Sequence, residues 1–109
     1  MSKITTHVLD AVLGSPGAGV RVTLDQRVFE QWVGVGECVT DSDGRCRGLA
    51  ADSERGTYRL TFATGDYFRR LGRCSMYPEV VVIFEVSGDA AYHLPLLLSD
   101  NCYTTYRGS

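Results

Sequence analysis

The chain has 109 residues, enough for one hydrophobic core and too few for two, so a single domain over residues 1–109 is expected. Eleven Lys and Arg stand against 13 Asp and Glu, a net charge of −2, with 44% hydrophobic and 22% charged residues. That balance excludes a disordered chain and gives no clustered basic surface for nucleic acid, and no apolar run reaches the roughly 20 residues that cross a bilayer. Met1 to His7 passes directly into a polar alternation without an apolar export segment, and Arg107-Gly108-Ser109 differs from the usual Ser-Lys-Leu peroxisomal address. A cytoplasmic location is expected.

In chain order, Ile4 to Asp10 alternates, with Ile4, Thr6 and Val8 on one face and Thr5, His7 and Leu9 on the other. Gly14-Ser15-Pro16-Gly17 marks a loop, and Val20, Val22 and Leu24 predict a half-buried strand. Trp32 to Thr40 predicts another, ended by the strong turn signal Asp41-Ser42-Asp43-Gly44. Leu49 to Arg55 reads as a long loop, and Tyr58, Leu60 and Phe62 as a strand. Gly65 to Gly72 carries the one predicted helix, a short one. Val80 to Val86 is almost continuously apolar, which predicts a strand buried on both faces, and Ser87-Gly88-Asp89 reverses it. Tyr92 to Leu98 is interrupted by Pro95, which predicts an edge or a bulge, and Asn101 to Tyr106 makes the last strand. Together these elements predict an all-β fold, an antiparallel β-sandwich of seven to eight strands with one short helix.

Cys38, Cys46, Cys74 and Cys102 contain no C-x-x-C pair, and with only two histidines in the chain a closed zinc site is not expected. In a reducing compartment the four read as free thiols, although Cys38 and Cys46 flank a turn and could face one another across a hairpin. His7 and His93 are the groups able to exchange protons near neutrality. Taken alone, each is better explained as a histidine hydrogen-bonded on a sheet surface or at an interface. The terminus Tyr106-Arg107-Gly108-Ser109 gathers a phenol, a guanidinium and a hydroxyl beside the α-carboxylate, but the same composition suits a soluble edge strand. There is no G-x-S-x-G elbow, phosphate-binding glycine loop or H-E-x-x-H.

Three segments in order carry a resemblance: Thr5-Thr6-His7-Val8-Leu9-Asp10, Thr40-Asp41-Ser42-Asp43-Gly44-Arg45, and Tyr92 to Ser99 followed by Tyr103-Thr104-Thr105-Tyr106-Arg107-Gly108-Ser109. The chain resembles the 5-hydroxyisourate hydrolases, the transthyretin-related enzymes of urate breakdown, over essentially its full length. The terminal Tyr-Arg-Gly-Ser, which hormone-carrying transthyretins lack, is the most specific element. The resemblance implies a transthyretin-like sandwich and hydrolysis of 5-hydroxyisourate to 2-oxo-4-hydroxy-4-carboxy-5-ureidoimidazoline, without metal or organic cofactor. It also implies a homotetramer, a dimer of dimers with its sites at the dimer–dimer contact. Carried over by motif, His7, Arg45, His93 and Ser109 are catalytic, and His7, Arg45, Tyr106, Arg107 and Gly108 bind substrate.

Arg45 is chosen over Arg47 because it directly follows Asp43-Gly44, with Arg47 on the same strand face as a possible second contact. The expected roles are His7 as general base toward water, His93 holding the water or protonating the leaving nitrogen, and Arg45 facing the oxyanion. Ser109 would orient the water or an imidazole and is not expected to act as a covalent nucleophile. The chain departs from the family pattern at Ala91, where a histidine is common, and at Asp100-Asn101, where Ser-Pro is common. The alternatives are a non-catalytic transthyretin-like carrier of a small aromatic ligand and an inert structural module.

Overall fold

Period-two alternation builds nine strands and one helix among residues 2–88 and 90–108, which the computed structural model describes. The strands are β1 (Ser2–Asp10), β2 (Ser15–Pro16), β3 (Arg21–Val28), β4 (Gln31–Val39), β5 (Arg45–Ser53), β6 (Gly56–Phe62), β7 (Val80–Val86), β8 (Tyr92–Leu98) and β9 (Tyr103–Thr105). The helix α1 spans Thr64–Arg70. One sheet runs β2-β1-β8-β9, with β5 also paired to β1, and the other runs β4-β3-β6-β7. Their inner faces supply the core: Ile4 and Val8 from β1 and Leu94, Leu96 and Leu98 from β8 on one side, with Val22, Leu24, Leu60 and Phe62 on the other. Each such side chain contributes about 1.5–3 kcal/mol by leaving water.

The sandwich is therefore the expected one, with one parallel pairing, β1 with β8, inside an otherwise antiparallel arrangement. Four local expectations are corrected. Leu49 to Arg55 is not a loop, because β5 continues to Ser53; register shifts against β1 and the run Gly48, Ala50, Ala51 erase the alternation that would reveal it. Strand β7 is not buried on both faces: it lies at a sheet edge with Val81 41% and Ile83 59% exposed. Pro95 is not on an edge strand, since β8 sits between β1 and β9. The proline falls between the Leu96–Thr105 pair and an isolated bridge from His93 to Gly108, and the register is the same on both sides of it, so no residue is inserted and no bulge forms there either. The predicted reversal after β7 includes Asp89, which lies outside the described residues.

The fourth correction concerns the thiols. Cys38 and Cys46 form a disulfide, with their Cα atoms 6.2 Å apart, while Cys74 and Cys102 are free and exposed. The chain crosses from one sheet to the other between β4 and β5, so the bond ties the two sheets together instead of spanning a hairpin. Cα separation, which sequence does not report, decides whether two cysteines can join.

At the far end of β1 the fully buried carboxylate of Asp10 accepts hydrogen bonds from Tyr67 Oη at 2.7 Å, from Arg73 Nη1 at 2.6 Å and from the backbone N–H groups of Val12 and Leu13. Arg73 also pairs with Asp100, so the departure from Ser-Pro is occupied by an ion pair that secures the approach to β9. Burial pushes the Asp10 carboxyl up, but hydrogen bonds from Arg73, Leu13 and Tyr67 and the charge of Arg73 together hold it below its ordinary value. Asp10→Asn should cost about 1.5–3 kcal/mol in urea unfolding near neutral pH, the range for a hydrogen bond to a charged group. Because the folded pKa is depressed, that contribution is complete above the unfolded value near 4 and fades as pH falls through the folded value. The gap between wild type and variant should accordingly close in acid.

Candidate active site

The outward face of the β1, β5 and β8 portion of the first sheet holds a cleft of about 390 Å³, lined among others by Lys3, Thr5, Arg45, Arg47, Ala91 and His93. These positions follow from strand alternation: Ile4, Thr6 and Val8 face the core, so Lys3, Thr5 and His7 face outward. Cross-strand register then aligns the chemistry, since His7 pairs with Arg45 on β5 and Thr5 with His93 on β8.

The Asp41–Gly44 turn sets where β5 begins. The Asp41 carboxylate accepts the backbone N–H groups of Asp43 and Arg45, at 2.9 and 3.0 Å. Gly44 takes a left-handed φ of 77°, its carbonyl accepts the Val8 N–H at 2.7 Å, and a Cβ there would collide with the Val8 carbonyl. The turn is thus clamped onto β1 beside His7. His7 Nε2 lies 2.8 Å from the Asp43 carbonyl oxygen. A carbonyl only accepts, so Nε2 carries the proton and a neutral His7 keeps its lone pair on Nδ1.

His93 Nδ1 lies 2.8 Å from Thr5 Oγ1. Burial, followed by the charges of Arg45 and His7, lowers the pKa of His93 from its usual value and so favours the neutral imidazole. The guanidinium of Arg47 is drawn toward the turn by Asp41 at 3.6 Å and Asp43 at 3.8 Å. Among the described residues no carboxylate makes an ion pair with Arg45. Of the two β5 arginines that line the cleft, Arg45 is therefore the one left available to a ligand.

The tail reaches the same place. The Gly108 N–H donates to the His93 carbonyl at 2.7 Å, and a Cβ on Gly108 would lie 2.8 Å from His93 Cδ2, so only glycine packs there without moving the ring. Arg107 stacks on Tyr92, 4.1 Å from the ring centroid, and anchors the tail one residue earlier. Of the candidate residues, His7, Arg45, His93 and Gly108 converge, Arg107 serves as the anchor, and Tyr106 is exposed. Ser109 lies outside the described residues. Lys3 and Thr5 also line the cleft, as alternation puts both on the face of His7, but nothing in the sequence assigns either of them a role there.

Residues 4–108 match the model of the HIUase/Transthyretin family. The chain belongs to that family. The 5-hydroxyisourate hydrolase of Caulobacter vibrioides is 48% identical, with all of both chains covered. A solved 5-hydroxyisourate hydrolase from Klebsiella pneumoniae has a TM-score of 0.90 at 36% identity, again covering both chains fully. Sea bream transthyretin in complex with thyroxine superposes as well, with a TM-score of 0.93 at 30% identity over 96% of this chain and 93% of that one. The fold of the HIUase/Transthyretin family is thus common to a 5-hydroxyisourate hydrolase and to a transthyretin solved in complex with thyroxine.

Proposed function

We propose that this chain hydrolyses 5-hydroxyisourate, opening its cyclic amide to 2-oxo-4-hydroxy-4-carboxy-5-ureidoimidazoline in urate catabolism. The observation that carries this reading is a cleft lined by the His93 imidazole and the ion-pair-free guanidinium of Arg45, with His7 the register partner of Arg45 and the Gly108 segment bridged to His93. In the reaction, water adds to the ring carbonyl and gives its proton to His7 Nδ1. Arg45 offers planar donors and charge to the oxyanion. The tetrahedral centre then expels the ring nitrogen, which takes a proton supplied through His93 Nε2, leaving a carboxylate and an N–H. Ser109 and Tyr106 complete the substrate contacts, and Arg107 and Gly108 hold the tail against β8.

The working form is a homotetramer, a dimer of dimers with the clefts at the dimer–dimer contact. Two features support it: polar catalytic groups lie on an outer sheet face, and the β7 edge presents apolar Val81 and Ile83 to solvent. The reading keeps the cytoplasmic location. Among the described residues no helix is long and apolar enough to cross a membrane.

The rival is a carrier of a small aromatic ligand, supported by the likeness to the thyroxine complex. A cleft bearing Lys3, Arg45 and Arg47 suits an electron-rich, oxygen-bearing heterocycle better than an apolar ring. Uricase-generated hydroxyisourate followed by ultraviolet absorbance decides between them. The enzyme reading expects decay to accelerate in proportion to protein added, whereas a carrier or inert module leaves the spontaneous rate unchanged.

A further inference from the structure

We propose that Thr5 is a positioning residue for His93, its hydroxyl holding the imidazole through Nδ1 so that Nε2 faces the cleft in both protonation states of the ring. The inference rests on the hydrolase reading above. In the parallel β1–β8 pair Thr5 and His93 are register partners, both half-buried on the outward face, with Oγ1 and Nδ1 2.8 Å apart. A hydroxyl both donates and accepts. When Nε2 is a bare base, Nδ1–H donates to Oγ1; when Nε2 carries the proton, the threonine hydroxyl donates to Nδ1; when both nitrogens are protonated, Oγ1 accepts again. No ring rotation is needed as the proton comes and goes.

Threonine suits this because its branched Cβ restricts χ1 on a strand, so the hydroxyl is held in place before the ring arrives. Neighbouring Thr6 does a separate task. It is buried, and its hydroxyl donates to the Leu94 carbonyl, which fastens β1 to β8 whatever stands at position 5. The tail bears on the other side of the ring, where Gly108 packs against Cδ2. His93 is therefore held at Nδ1 by one strand and along its edge by the terminus, with Nε2 left for the reaction.

The test compares Thr5→Val, which has the same shape without the hydroxyl, with Thr5→Ser, which keeps it. Thr5→Val should lower kcat about 10- to 100-fold, the range a misplaced catalytic group costs, with KM little changed, and Thr5→Ser should recover most of the loss. Hydrogen bonding to Oγ1 favours the imidazolium, so the alkaline limb of the Thr5→Val profile, set by His93 as proton donor, should move to lower pH. Nitrogen NMR of the His93 ring without substrate should show a changed protonation pattern in Thr5→Val alone. Wild-type kcat and an unaltered His93 spectrum in Thr5→Val, or equal losses in both variants, would overturn the proposal. If the wild-type protein fails to accelerate hydroxyisourate decay, the hydrolase reading falls, while the NMR comparison still decides whether Thr5 governs His93.

Discussion

His7→Gln should lower kcat by about 10²- to 10⁴-fold, the usual cost of removing one well-placed acid–base group. Glutamine is the informative replacement because its side-chain amide can still donate to the Asp43 carbonyl, the contact His7 makes through Nε2 at 2.8 Å. The turn that presents Arg45 should stay in place, and only the Nδ1 lone pair is lost. Single-turnover rates on freshly generated hydroxyisourate give the chemical step, and thermal unfolding gives the fold. A variant that melts with the wild type and turns over within tenfold of it would remove His7 from the role of base. A variant that loses turnover and stability together would instead assign His7 to clamping the turn.

How much of this site can be read from the chain depends on the range of the interaction involved. Alternation from Ile4 to Asp10 assigns His7 and Thr5 to the face away from the core, and Asp41 to Gly44 announces the turn that delivers Arg45. Both signals are local. What local patterning cannot supply is the lateral register. That Thr5 meets His93, 88 residues away, follows from a parallel pairing no short-range rule specifies. The convergence of His7, Arg45, His93 and the tail was legible only through family resemblance.

The misreadings share the same cause. Strand β5 was hidden by its bulges against β1, and the exposed side of β7 looks in sequence like a buried one, because an apolar edge face and an apolar core face use the same residues. The Cys38–Cys46 bond depends on two strands from different sheets coming together. The sequence gives Thr5 a face but no role, since a threonine on a strand is the ordinary case and its hydroxyl acquires meaning only beside an imidazole nitrogen.

Arg45→Gln should cost about 10²- to 10³-fold in kcat, as expected for removing an oxyanion donor, and should also displace the pH profile. Burial is the main reason the His93 pKa lies below its usual value, but the positive charge of Arg45 comes next. Deleting that charge lets the pKa rise toward the ordinary histidine value near 6.5, so the alkaline limb, which belongs to His93 as the proton donor, should move to higher pH. Arg45→Lys separates the two effects. It keeps the charge and should leave the limb close to the wild-type position, yet it lacks the planar fork of donors and should remain slow. If Arg45 merely closed the β5 turn, the lost rate would come with a lowered melting temperature and an unmoved limb in both variants. The turn itself argues against that, because Asp41 secures it through the backbone N–H of Arg45, which every substitution except proline retains. Charge on His93 and donors on the oxyanion are then two separable contributions of one guanidinium, and the Gln and Lys variants together measure each.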